Sequence, residues 1–107
     1  MTTLRRTNGT IIAEGPGSLR DLVFAQNGAL AGADLRGCDL SGWNLTCSDL
    51  SWANLTKANL AGATLFKCDL TGATLYGCDL TGCDLSGCTL ATANLTGAIR
   101  DTEGAKT

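Results

Sequence analysis

The chain has no histidine, a single proline and a single methionine among its 107 residues. The missing imidazole removes the commonest general base and zinc ligand, and with it the Ser-His-Asp and Cys-His nucleophile pairs. Charge is sparse too. Ten acidic residues face eight basic ones, and the net charge of −2 is too small for a strong field toward nucleic acid or acidic membranes. No apolar run comes near the roughly 18 residues that a membrane-crossing helix needs. The opening MTTLRRTNGTIIAEG carries two arginines but no apolar stretch of about seven residues, so no secretory signal is expected there. Together these absences lead us to expect a cytoplasmic, non-enzymatic protein with reduced thiols. No cofactor, metal site, membrane contact or direct nucleic-acid binding is expected.

What the sequence does have is leucine at every fifth position without a break: Leu30, Leu35, Leu40, Leu45, Leu50, Leu55, Leu60, Leu65, Leu70, Leu75, Leu80, Leu85, Leu90 and Leu95. From Ala33 onward the residue two before each leucine is Ala or Cys, except Trp43 and Ser48, and the residue just before it is Asp, Asn or Thr. Period five fits neither regular element. Five residues of helix turn about 500°, which would scatter the leucines around all sides. In a strand, an odd spacing puts alternate leucines on opposite faces. A bend inside each unit resolves the conflict: one short extended face, then a corner, with every leucine pointing inward. Four faces close a square coil, and the coils stack into an all-β solenoid whose core ladder is Leu35 to Leu95. Glycine two residues after the leucine, as at Gly32, Gly37 and Gly72, suits a turn whose second central residue has φ > 0. Cys47, Trp52, Lys57, Lys67 and Thr92 stand there instead, and a different turn type is expected at those corners.

Units such as ADLRG (33–37), ANLTK (53–57) and CDLTG (78–82) make the chain resemble the pentapeptide-repeat family, A(D/N)LXX. The resemblance covers roughly residues 28–98. It implies a right-handed quadrilateral β-helix with the leucine and the residue two before it inside. It also implies a strand and a helix ahead of the coils, and it transfers little about activity.

The six cysteines fit this pattern. Cys38, Cys68, Cys78, Cys83 and Cys88 all take the small inward slot, and only Cys47 falls at a corner. A free cysteine packs as a small hydrophobe. With four units per coil, residues twenty apart stack about 4.8 Å from one another, which places Cys68 beside Cys88. Parallel side-chain directions make that pair a poor match to a disulfide, whose Cβ atoms lie about 3.8 Å apart. Evenly spaced C-x4-C does not offer tetrahedral zinc ligation. Cys47 is the thiol expected to be exposed and reactive.

Asp34, Asp39, Asp49, Asp69, Asp79 and Asp84 precede leucines, a slot shared with asparagines, and are expected to accept backbone hydrogen bonds at the bends. Asp49 with Asp69 is the one candidate cation pair, since the two stack on adjacent coils. The indole of Trp43 is too large for the inward slot and is expected to turn toward the N-terminal cap. Trp52, Phe66 and Tyr76 point outward on three different faces.

We divide the chain into residues 1–27, a strand and capping helix, residues 28–98, the coil, and residues 99–107, a polar tail. GTIIAEG (9–15) reads as a strand that pairs with the first coil. Ser18 caps a helix with Asp21 three residues on, Asn27–Gly28 stops it, and Leu19, Leu22 and Val23 are set to cover the ladder. At the other end the polar tail leaves Leu85, Leu90 and Leu95 as an open rung. An interaction or assembly module with an unknown protein partner fits best, with Trp52, Phe66, Tyr76, Leu85, Leu90 and Leu95 as candidate interaction surface. A homodimer through the last coil is the specific expectation; the alternative is that Ile99 folds back over Leu95. A second reading is a DNA mimic acting on DNA gyrase or topoisomerase, an activity known in the family it resembles. Fourteen units make about 3.5 coils, or roughly 17 Å at the strand spacing. Duplex DNA of that length carries about ten negative charges, far more than this chain does.

Overall fold

The bends that the period demands are present, and they are alike. In each unit the leucine carbonyl accepts a hydrogen bond from the backbone N–H three residues on, as from Ala33 to Leu30 at 3.0 Å, Ser48 to Leu45 at 3.0 Å and Ala73 to Leu70 at 3.0 Å. The structure, a computed structural model, describes residues 1–100; most of the expected tail, residues 101–107, lies outside the described residues.

At every corner from Gly32 to Gly97 the residue two after the leucine has a positive φ. This corrects the expectation of a different turn at the non-glycine corners. Cys47, Trp52, Lys57, Lys67 and Thr92 adopt φ of 58–63°, close to the 67–73° of the coil glycines other than Gly28. The same closing bond is made, for example from Ala58 to Leu55 at 2.9 Å. The reason lies in the neighbouring coil: Trp52 N–H donates to Thr71 O and Lys57 N–H to Tyr76 O, both at 2.8 Å. These bonds fix the corner peptide and override the cost of about 1–2 kcal/mol for a left-handed residue with a Cβ.

Consecutive coils are joined by a regular exchange. From Leu30 to Leu80 each leucine N–H reaches a carbonyl nineteen residues on, as Leu50 to Asp69 at 2.9 Å and Leu70 to Thr89 at 2.8 Å. The residue before the leucine reaches back twenty-one, as Asp69 to Ser48 at 3.0 Å. Single parallel bridges therefore pair residues twenty apart, from Ala29↔Asp49 through Asp49↔Asp69 to Asp79↔Ile99. The chain completes one circuit per twenty residues, with four corners. Each contact is too short to count as a strand. Ile99 belongs to this ladder: Leu80 N–H donates to its carbonyl at 2.7 Å, and its own N–H donates to Cys78 O at 2.8 Å. The coil thus extends one residue past the expected boundary at 98, and Ile99 pairs with Asp79 instead of folding over Leu95.

Inside, Leu40 and Leu50 to Leu75 are sealed from solvent, with Ala53, Ala58, Ala63, Cys68, Ala73 and Cys78 packed between them. Burial loosens toward the last coil, where Leu90 and Leu95 are only half-buried.

Two strands, not one, precede the coil. Strand β1 (Thr2–Arg5) pairs antiparallel with β2 (Ile11–Gly15). It is the end of β1, not residues 9–15, that joins the first coil: Asp34 N–H donates to Arg5 O at 2.7 Å, Thr7 N–H to Gly32 O at 2.8 Å, and Arg6 bridges Ala33. Helix α1 (Leu19–Ala25) opens with a full capping box, in which Ser18 Oγ accepts from Asp21 N–H at 3.1 Å and Asp21 Oδ2 accepts from Ser18 N–H at 3.3 Å. It buries Val23 and rests Leu19 and Leu22 against the core. Asn27 and Gly28, with φ of 52° and 84°, turn the chain into the coil.

Leu70→Ala is expected to cost about 2–5 kcal/mol, because the sealed interior has no room to collapse, and Leu95→Ala distinctly less; denaturant unfolding of both variants measures the difference. Thr92 combines β-branching with a positive φ, and its N–H donates to no described residue. Thr92→Gly is therefore expected to stabilise by about 0.5–1 kcal/mol, the relief of left-handed strain less the entropy of an added glycine. A lowered melting midpoint would show that the corner is unstrained.

Candidate interaction surface

The outward polar groups are largely committed to the coil's own corners. Asp39 Oδ1 accepts from Ser41 N–H at 3.1 Å and Ser41 Oγ at 2.6 Å; Asp49 Oδ1 accepts from Ser51 N–H at 3.0 Å and its hydroxyl at 2.6 Å. Asn44 and Asn54 accept the same two bonds from Thr46 and Thr56. Hydrogen bonds from the Ser41, Thr71 and Thr81 side chains, then from their backbones, hold the Asp39, Asp69 and Asp79 carboxyls below the usual carboxylate range. Asp34 is held low chiefly by its hydrogen bond with Arg36, an exposed ion pair at 2.8 Å. Asp49 and Asp69 do face each other across adjacent coils, but each has an oxygen bound to its own turn. Among the described residues no group of three or more His, Cys, Asp or Glu side chains is placed to hold a metal ion.

All six cysteines are free, and only Cys47 is exposed. Cys68, Cys78 and Cys83 are buried, while Cys38 and Cys88, near the two ends of the coil, are half-buried. The Cys68 Sγ donates to Leu45 O at 2.9 Å, Cys78 to Leu55 O at 2.7 Å and Cys88 to Leu65 O at 2.8 Å. These three thiols thus have a leucine carbonyl as their polar partner inside the coil. Burial pushes Cys78 up to about 11. Burial first, then the neighbouring Cys88, pushes Cys83 up to about 12. Contact with Cys88 and then burial raise Cys68, and the same contact lowers Cys88 against its own burial. Cys38 is raised by burial and by the Asp34 charge.

The exposed aromatics do not gather. Trp52 is 64% exposed, Tyr76 45% and Phe66 38%, and they belong to the separate leucine columns of Leu50, Leu75 and Leu65. Trp52 is nevertheless fixed, because its ring lies on Gly72 one coil further, where any Cβ would collide with it. Lys57 and Lys67 lie in the same way over Gly77 and Gly87, whose Cβ atoms would meet their Cγ at 3.3 and 3.0 Å. The Lys67 ammonium sits 5.2 Å from the Phe66 ring centre. Trp43 reaches α1, with its ring centre 5.6 Å from that of Phe24 and the Arg20 guanidinium over both.

The last coil is different. The N–H groups of Leu70, Gly72, Leu75 and Gly77 bond to the next coil at 2.7–3.0 Å, whereas those of Leu90, Thr92, Leu95 and Gly97 donate to no described residue. Half-buried Leu90, Ala93, Leu95 and Ala98 lie beside them, and Ile99 is 58% exposed. Leu85 is buried, so of the three expected rungs only Leu90 and Leu95 are open.

A family model described as pentapeptide repeats matches eight copies over residues 29–62, 44–82 and 74–99. The chain belongs to the pentapeptide-repeat family. Among solved structures it is similar to the pentapeptide repeat protein Rfr23 of the cyanobacterium Cyanothece 51142, at 31% identity over 69% of this chain and 57% of that one, TM-score 0.45. It is similar to alr5209 of Nostoc PCC 7120 at 33% identity over 80% and 78%, TM-score 0.46. It is also similar to HetL, a pentapeptide repeat protein involved in heterocyst differentiation regulation in Nostoc sp. strain PCC 7120, at 35% identity over 67% and 39%, TM-score 0.33. The chain thus spans less than two thirds of the length of the first and third of these proteins. No curated protein matches it. Among the described residues no helix of this pentapeptide-repeat chain is long and apolar enough to cross a membrane.

In the native pentapeptide-repeat coil a thiol reagent is expected to label Cys47 quickly and Cys38 and Cys88 slowly. Cys68, Cys78 and Cys83 are expected to react only on unfolding. Mass spectrometry of timed alkylation reads the order; two or more disulfides in freshly purified protein would overturn the packing account.

Proposed function

We propose that this chain is a non-enzymatic protein-interaction module, built as a right-handed quadrilateral β-helix, that assembles with a second copy through its C-terminal coil. The observation that carries the reading is the row of N–H groups at Leu90, Thr92, Leu95 and Gly97 without described partners, next to half-buried apolar rungs. Such an edge pairs with another chain unless something covers it. A two-fold pair closes on itself, because the same surface meets its copy. Head-to-tail stacking is disfavoured, since α1 and β1 occupy the opposite end. The transverse extents of 24 and 21 Å limit the end face to roughly 500 Å² a side, or about 1,000 Å² in all. That is the lower limit for a specific interface, so the pairing is concentration-dependent. Mimicry of DNA toward gyrase or topoisomerase has less support. Six aspartates against three basic residues leave residues 29–99 a net charge of −3, and Lys57 and Lys67 lie along the corners.

Sedimentation velocity across a range of concentrations is expected to show a monomer–dimer equilibrium, and Leu95→Glu to leave a folded monomer. A wild-type monomer at high micromolar concentration overturns the pairing.

A further inference from the structure

Where helix meets coil, at the opposite end from the pairing edge, lies a cleft of about 280 Å³. Its floor is apolar, formed by Val23, Leu30 and Leu45, with the half-exposed ring of Phe24 as one wall. Asn27, Asn44, Thr46, Cys47 and Ser48 supply its polar groups, and no charged side chain lines it. Ser48 is unusual there. It is only 4% exposed, yet its hydroxyl makes no hydrogen bond among the described residues. No side-chain nitrogen or oxygen that is sealed from solvent lacks a partner among them, so the hydroxyl opens toward the cleft. The cause is in the sequence. Ser48, Cys68 and Cys88 stack in one inward column, but the first member of that column is Gly28, which has no side chain to close the slot. A Cβ at Gly28 would lie 3.5 Å from Ser48 Oγ and 3.3 Å from its Cα.

We propose that this cleft binds a small neutral aromatic molecule that carries one hydrogen-bonding group, with the ring against Phe24 and Leu45 and the polar atom on Ser48 Oγ. An apolar cavity of about 150 Å³ takes up benzene, so the larger volume here suits a fused or substituted ring. The neutral lining disfavours ions, because none of its groups offsets the loss of their hydration. A hydroxyl that opens on the cleft with no protein partner favours a ligand that bonds to it over one that cannot.

Indole is the probe, and the rate at which iodoacetamide labels Cys47 at the rim is the readout. In the full-length protein, millimolar indole is expected to slow this labelling several-fold while leaving glutathione alkylation unchanged. Benzoate, similar in size but charged, is expected to protect less. Ser48→Ala keeps the small residue that this slot holds in most units; it is expected to raise the half-protecting indole concentration about tenfold, the worth of one hydrogen bond. Thr46→Trp fills the cleft from an exposed position at which other units carry Phe66 and Tyr76, and is expected to abolish protection. No slowing in the wild type, equal slowing in Thr46→Trp, or unaltered protection in Ser48→Ala overturns the proposal. Melting curves of both variants confirm that they are folded when tested.

Discussion

The leucine backbone ties the structure together. Its carbonyl closes the corner of its own unit, and its N–H binds the next coil, as at Leu70, where Ala73 N–H arrives at 3.0 Å and Thr89 O is 2.8 Å away. The backbone of one residue therefore sets both the bend and the stacking distance through its two flanking peptide groups, while the side chain between them fills the interior. Backbone donors and acceptors in a sealed core must be satisfied, and here the satisfaction and the geometry are the same event. This is why Cys47, Trp52, Lys57 and Lys67, whose N–H groups all bond to the next coil, take the left-handed conformation without glycine. Losing the inter-coil bond would leave the corner N–H without its protein partner, set against a strain of about 1–2 kcal/mol.

Much of this was legible in the sequence, because a period of five that excludes helix and strand leaves few ways to keep leucine inside. The inward slot of Cys68 and Cys78 and the capping box at Ser18 were readable for the same reason: each depends on neighbours at fixed spacing. Three features were not. The corner conformation at Cys47 or Trp52 follows from bonds to another coil, which local preference does not contain. Strand β1 is four residues of which only Leu4 is buried, too little pattern to register. The apolar step at Ile99 looked like the start of a polar tail because its neighbours are polar, although its backbone still pairs with Cys78 and Leu80. As for the surface, the sequence placed Trp52, Phe66 and Tyr76 on separate faces, but the opening beside Ser48 required knowing what stands under it.

The surface has a division of labour. Along the middle of the coil, hydroxyls and carboxylates bind their own turns, as Ser51 binds Asp49, and little polar capacity is left for a partner. Unspent bonding capacity collects at the ends: backbone donors at Leu90 and Leu95, and a side-chain hydroxyl at Ser48. Each internal unit of the coil is instead bonded to the coils on both sides of it.

The pairing of Trp52 with Gly72, Lys57 with Gly77 and Lys67 with Gly87 constrains how such a chain can change its length. Each large corner residue requires a bare backbone twenty positions later. Removing or adding a single five-residue unit would rotate everything downstream by a quarter circuit. With the change between Trp52 and Cys68, Trp52 would then meet Gly77 or Lys67, and Ser48 would be parted from the Cys68–Cys88 column. Lengthening by a whole circuit of four units keeps every later residue on its own side. The molecule can therefore grow or shrink smoothly only in steps of twenty residues, even though its sequence repeats in fives.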